Sequence, residues 1–177
     1  MYIRTKKINN NLYAYQVSAR WSKKKKAPKQ KTVKYLGKLH TLKKAYNKSF
    51  EKYIKKDLNQ YLKKTQHKKI ILDLIRCELL NHRFKEIKKD IWKHKNFIVD
   101  LKTKKVYDVN TNKTICLEIN NNFLTTHTIR NIVYFSSPPN LTNIQIGKSL
   151  AKAFLSAGII LPEEIFVTIF KKISKKF

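Results

Sequence analysis

Strict alternation organises the first forty residues, and a period of three to four takes over after them. Tyr13, Tyr15, Val17, Ala19 and Trp21 share one parity, the two-residue repeat of a half-buried strand. A preceding strand over residues 2–8 is joined to it by Asn9, Asn10 and Asn11, residues that tolerate the left-handed backbone of a hairpin turn. A third strand over residues 30–36 is stopped by Gly37, and a lysine-rich tip over residues 22–29 links it to the second. This pattern predicts a three-stranded antiparallel meander.

From Thr41 the apolar positions change step. Leu42, Ala45, Tyr46, Phe50, Tyr53, Ile54, Leu58, Tyr61 and Leu62 predict a helix over residues 41–64, with Thr41 as its N-cap. After a break at residues 65–67, Ile70, Ile71, Leu74, Ile75, Leu80, Phe84, Ile87 and Ile91 extend a second helix to about Trp92, and the two would pack as an antiparallel pair. Residues 97–101, 105–109 and 114–119 read as a second three-stranded meander. A short helix over 126–135 ends before Pro138 and Pro139, and another runs from a Thr142 cap to about Ala157, with Gly158 closing it. Pro162, Glu163 and Glu164 open the last helix, the carboxylates facing the positive end of its dipole, and Ile165, Ile169 and Ile173 continue it. The class is α+β in three segments: a basic meander (1–40), a helical pair (41–95), and a meander with a C-terminal helical unit (96–177).

Charge changes the picture of the first segment. Residues 1–50 hold fifteen Lys or Arg and no Asp or Glu, so about half of the net charge of +29 sits in less than a third of the chain. Thirty-five Lys against five Arg reflects the drift of an AT-rich genome, but drift alone does not remove every carboxylate from fifty residues. Such a surface attracts polyanions, and binding one relieves the self-repulsion of the folded state. The 42% hydrophobic content and the low Gly and Pro counts describe a folded protein rather than a disordered basic tail. Neither a signal core nor an apolar run long enough for a membrane span is visible, which points to a cytoplasmic protein.

The candidate interface is Arg20, Trp21, Lys23, Lys24, Lys25, Lys26, Lys29, Lys31 and Lys34, on and beside the hairpin tip. Flexible lysines pair with phosphates as point charges, and an isolated lysine run would ordinarily be a solvated loop; the missing acids favour nucleic acid. Tyr13, Tyr15 and Trp21 could stack on bases, but burial against the following helix is the favoured reading for the two tyrosines, and the two readings weigh evenly for Trp21, which borders the lysine loop. The lysines at 43, 44, 48, 52, 55, 56, 63 and 64 fit the solubilising face of an amphipathic helix better than a phosphate track. Such a helix is also a footprint of anionic lipid attachment. Catalytic patterns are poor. His40, His67, His82, His94 and His127 are scattered, Cys77 and Cys116 belong to no metal motif, and no cofactor or metal site is expected. Asp100 and Asp108 could meet across a hairpin as a nuclease pair, but such carboxylates more often serve neighbouring lysines.

Residues 12–21, read with Val33-Lys-Tyr-Leu-Gly-Lys38, resemble a small basic β module. It occurs at the N-terminus of some insertion-sequence transposases and of small basic archaeal proteins. The resemblance implies a nucleic-acid contact for Arg20, Lys31 and Lys34. It stops near residue 40, and nothing later has the size or carboxylate spacing of a transposase catalytic domain. The stretch from Ile146 to Phe166 is similar to the end of uncharacterised archaeal proteins, which implies no function. The expected function is non-enzymatic binding of structured RNA, ribosomal RNA or the ribosome foremost, since no recognition helix or dimer seam stands out. A DNA-binding architectural or regulatory protein related to the transposase module is the alternative.

Overall fold

In the computed structural model, which describes residues 2–22, 26–136 and 140–174, the N-terminal alternation forms three strands. They are β1 (Tyr2–Ile8), β2 (Asn11–Ser22) and β3 (Ala27–Thr41), paired antiparallel in the predicted order, but β3 starts inside the expected tip and is not stopped by Gly37, because residues 38–41 pair with a further strand. Asn9 and Asn10 both have positive φ, as a two-residue hairpin turn requires. Bulges in the β2–β3 pairing, between Ala14 and Tyr15 and between Gln16 and Val17, increase the local twist. The sheet coils, so that Ile3 on one edge strand and Phe123 on the other pack on the same cluster of Ala14, Leu36 and Cys116.

Residues 41–64 do not form the predicted long helix. The backbone N–H of Leu42 continues the sheet by donating to the Glu118 carbonyl, and Asn81 accepts from Ala45 and Tyr46 through its carbonyl. The Asn81 side chain also bonds both the N–H and the C=O of Lys48. With the N–H groups of Leu42, Ala45, Tyr46 and Lys48 and the Lys48 carbonyl satisfied in this way, this stretch is drawn off the helical hydrogen-bond pattern. Two short helices follow, α1 (Phe50–Ile54) capped by Ser49 and α2 (Leu58–Lys64) capped by Asp57, separated by Lys55 at φ 52. Ser49 and Asp57 are cap residues within the apolar stripe, a signal the periodicity conceals.

The next helix, α3 (His67–Asn81), ends eleven residues short of Trp92. Arg83 turns the chain at φ 66, and residues 85–94 form a hairpin instead: β4 (Lys85–Lys88) and β5 (Ile91–His94), turning at Asp90 with φ 67. β6 (Phe97–Asp100) and β7 (Lys105–Asp108) complete a four-stranded antiparallel sheet in chain order. Trp92, Val99 and Val106 lie directly opposite one another across it and are buried. Arg76 of α3 bridges Asp73 and Asp90, and Asp73 also accepts from Tyr61 at 2.5 Å, tying α2, α3 and the hairpin turn together.

The third strand of the predicted second meander leaves that sheet. β8 (Ile115–Ile119) runs parallel to β3, from Lys38 opposite Ile115 to Thr41 opposite Glu118, and β9 (Asn122–Leu124) completes a five-stranded sheet of order β1-β2-β3-β8-β9. Ile115, Leu117 and Ile119 project from one side of β8 into the main core, while Cys116 projects from the other.

The C-terminal helices are α4 (Thr126–Val133), α5 (Asn143–Ser156) and α6 (Glu163–Ser174). Thr125 and Thr142 cap the first two with reciprocal side-chain bonds. At the end of α5, Gly158 takes φ 71 while Gly158 and Ile159 donate to Leu155 and Phe154, a Schellman ending. Pro138 and Pro139 lie outside the described residues. Ile129 and Ile132 of α4, Leu150 and Phe154 of α5 and Ile165 and Ile169 of α6 share one apolar core with α3 and the four-stranded sheet. No helix among the described residues is long and apolar enough to cross a membrane.

Candidate nucleic-acid interface

β2 and β3 outrun their other partners. β1 pairs with β2 only as far as Val17, and β8 pairs with β3 only from Lys38, so among the described residues no further strand lies beside residues 18–22 and 27–32. They make a two-stranded arm roughly 17 Å long at ~3.4 Å per residue.

Strand parity sorts the arm's side chains onto two faces. Arg20 stands opposite Lys29, Ser18 opposite Lys31 and Gln16 opposite Lys34, which puts four of the predicted cations on one face. Trp21, opposite Pro28, is on the other face and 67% exposed, so it is no core residue. Lys26 sits at the tip with φ 45, while Lys23, Lys24 and Lys25 lie outside the described residues. Like charges directly across a strand pair destabilise it, and the three strands contain no carboxylate to offset Arg20 against Lys29.

The cationic face runs down into the body at α4. Gln16 Nε2 lies 3.0 Å from His127 Nε2, and a cavity of about 350 Å³ beside them is lined by Tyr2, Asn131, Ser149 and Lys152 among others. Burial, and then the nearby Lys34, lower the His127 pKa from its ordinary 6.5. Burial and Lys38 lower His40 too, against an opposing pull from Asp108. A histidine held below its unfolded pKa contributes stability above about pH 6.5, which is lost as the pH falls through its folded value. The urea midpoint is therefore expected to drop between about pH 7.5 and about pH 5.5. His127→Gln should shrink that drop, and an equal drop in the variant would clear His127 of the effect.

Tyr13 and Tyr15, expected to be buried against a helix, are half-buried and belong to neither apolar cluster. They share the face of Trp21 and meet Tyr35 of β3, with ring centroids 6.3 and 5.4 Å apart. Arg4 and Lys6 of β1 stand opposite Tyr15 and Tyr13 on this face, and Arg4 donates to Gln30 at 2.5 Å. Sequence pattern alone does not single out Arg4, Lys6 and Tyr35. Arg4 and Lys6 share the face of their cross-strand tyrosines in an unbroken β1–β2 register, whereas two bulges in the β2–β3 register hide the pairing of Tyr35 with Tyr15 until the strands are paired.

The catalytic candidates separate. Asp100 is opposite Lys105 and Asp108 opposite Phe97, at the two ends of the β6–β7 pair. Asp100 accepts from Lys102 and Thr103, and these bonds outweigh desolvation to hold its pKa below the ordinary value. Asp108 accepts from Thr111. Both carboxylates are thus held by turns. Cys77 and Cys116 are buried, and burial pushes the Cys77 thiol up to about 11. No group of three or more His, Cys, Asp or Glu among the described residues is placed to hold a metal ion. Comparison with protein-family models, curated proteins and solved structures finds no match to this chain.

Proposed function

We propose that this is a cytoplasmic, non-enzymatic nucleic-acid-binding protein that grips structured RNA, ribosomal RNA foremost, through the phosphates. The observation that carries the reading is the acid-free arm, with Arg20, Lys29, Lys31 and Lys34 on one face and Arg20 set directly against Lys29. Mutual repulsion on a two-stranded arm is relieved when phosphates lie along it, so the free protein gives up stability that binding returns. Lysines dominate the described arm, which suits contact with a backbone of given shape rather than base-by-base readout. The DNA-binding reading would use the three C-terminal helices, α4 to α6, as a helix–turn–helix-like unit, but α6 opens with Glu163 and Glu164 where a DNA-facing helix needs cations. The test is competition at fixed salt between ribosomal RNA and duplex DNA for the labelled protein. Preferential capture by ribosomal RNA is expected. Equal displacement by duplex DNA would shift the assignment to DNA, and capture by neither would overturn it.

A further inference from the structure

We propose that the tyrosine face of the N-terminal sheet, opposite the arm's cationic face, is a stacking platform for unpaired bases of single-stranded RNA. The proposal rests on the nucleic-acid reading above and adds which part of the RNA the sheet takes.

Tyr13, Tyr15 and Tyr35 contribute to neither apolar cluster of the protein. They lean on one another instead, at tilts of 42° and 54°, and Tyr35 remains 51% exposed. Trp21 continues the same parity out along the arm, where it is exposed. Val17 on this face is buried and Tyr13 and Tyr15 are half-buried, but the exposure of Tyr35 and Trp21 leaves open ring surface of a kind that folding normally buries.

Charge identifies the occupant. Arg4 and Lys6 flank the rings on β1 and Lys38 stands opposite Tyr13 on β3, while no carboxylate occurs on any of the three strands. Lys6 Nζ lies 5.5 Å from the Tyr15 ring centroid, a cation over a π face. A second copy of this chain would bring the same cations to the contact. Flat rings edged by cations match a flat base joined to a phosphate, and stacking on aromatics is the usual way a sheet holds unpaired bases. Bases inside a duplex already stack on each other and offer no free π face, so the platform discriminates between strands that the phosphate face does not.

The experiment compares a short oligouridylate with a blunt RNA duplex carrying the same number of phosphates, by fluorescence anisotropy at one low salt concentration. Tyr35→Leu is expected to weaken oligouridylate binding by at least about fivefold, the lower end for loss of one stacked base. Duplex binding should stay within about twofold, as for an ordinary surface substitution. Tyr35→Phe keeps the ring and should retain oligouridylate binding. Tyr13→Leu repeats the test if Tyr35→Leu proves poorly folded. Equal weakening of both RNAs, or unchanged oligouridylate binding, overturns the platform and leaves the phosphate reading standing, because the parent protein still binds both. A parent protein that binds neither overturns both.

Discussion

Raising the salt from 50 to 200 mM is expected to weaken RNA binding by on the order of 10³ to 10⁵, the loss for six to ten phosphate contacts. The described arm and its tip offer Arg20, Lys26, Lys29 and Lys31, Lys34 follows at the arm's base, and Arg4, Lys6 and Lys38 stand beside them on the sheet. Each phosphate contact releases condensed counterions from the RNA, so affinity falls with the logarithm of salt in proportion to the number of phosphates neutralised. Replacing Arg20, Lys29, Lys31 and Lys34 together by Gln should flatten that slope by roughly one for each phosphate no longer neutralised, and weaken binding to all sequences alike. Because these side chains are exposed on a strand pair that already repels itself, the quadruple variant should be no less stable than the parent. Titration at four or five salt concentrations reads the slope directly. A nearly flat response in the parent would remove phosphate binding, and an unchanged slope in the variant would place the RNA somewhere other than the arm.

The largest effect on stability is expected at Gly37. Its φ of +125° is a conformation that side-chain-bearing residues rarely adopt, and a Cβ there would lie 2.5 Å from the Thr114 carbonyl oxygen and 2.6 Å from the Ile115 Cα. Both are backbone atoms, so no rotamer change can make room. Gly37 immediately precedes the parallel pairing of Lys38 to Thr41 with β8, the ladder that fastens the N-terminal strands to the rest of the protein. Backbone strain of about 1–3 kcal/mol and overpacking of a similar size give a loss of about 2 to 6 kcal/mol for Gly37→Ala. Against a total of roughly 5–15 kcal/mol for a typical domain that is a large fraction. Urea unfolding measures the loss, and hydrogen exchange at residues 38–41 tests where it acts. A variant within about 1 kcal/mol of the parent would show that β3 and β8 tolerate a wider spacing.

How far the interface was legible varies along the chain. The parity of Tyr13, Tyr15, Val17, Ala19 and Trp21 was plain, because a strand alternates whatever it packs against. Which side meets the core was not. The inward side of the coiled sheet takes Ala14, Leu36 and Cys116, small or flexible enough to fit under Ile3 and Phe123, and that choice depends on a partner strand about eighty residues away. Burial of the rings follows from a rule that is sound for a flat sheet against a helix, whereas this sheet is bulged there and its tyrosines join neither apolar cluster. The cations were legible as a group, while their separation from the aromatic face appears only once the register is known.

Composition and local spacing by themselves determined the acid-free first fifty residues, the three N-terminal strands, the Thr142-capped helix and the glutamate-led last helix. Each of these depends on neighbours within one element: alternation, a cap three residues away, or charge density. Only the tertiary structure decided that residues 42–49 are pinned by Asn81, that residues 85–94 pair as a hairpin, and that β8 joins β3. In all three, backbone hydrogen bonds to a distant segment, or burial of Trp92 across a sheet, outweigh helix preferences worth only a few tenths of a kcal/mol per residue. The same long-range pairing turned a basic, aromatic stretch into a surface with a cationic side and a ring side.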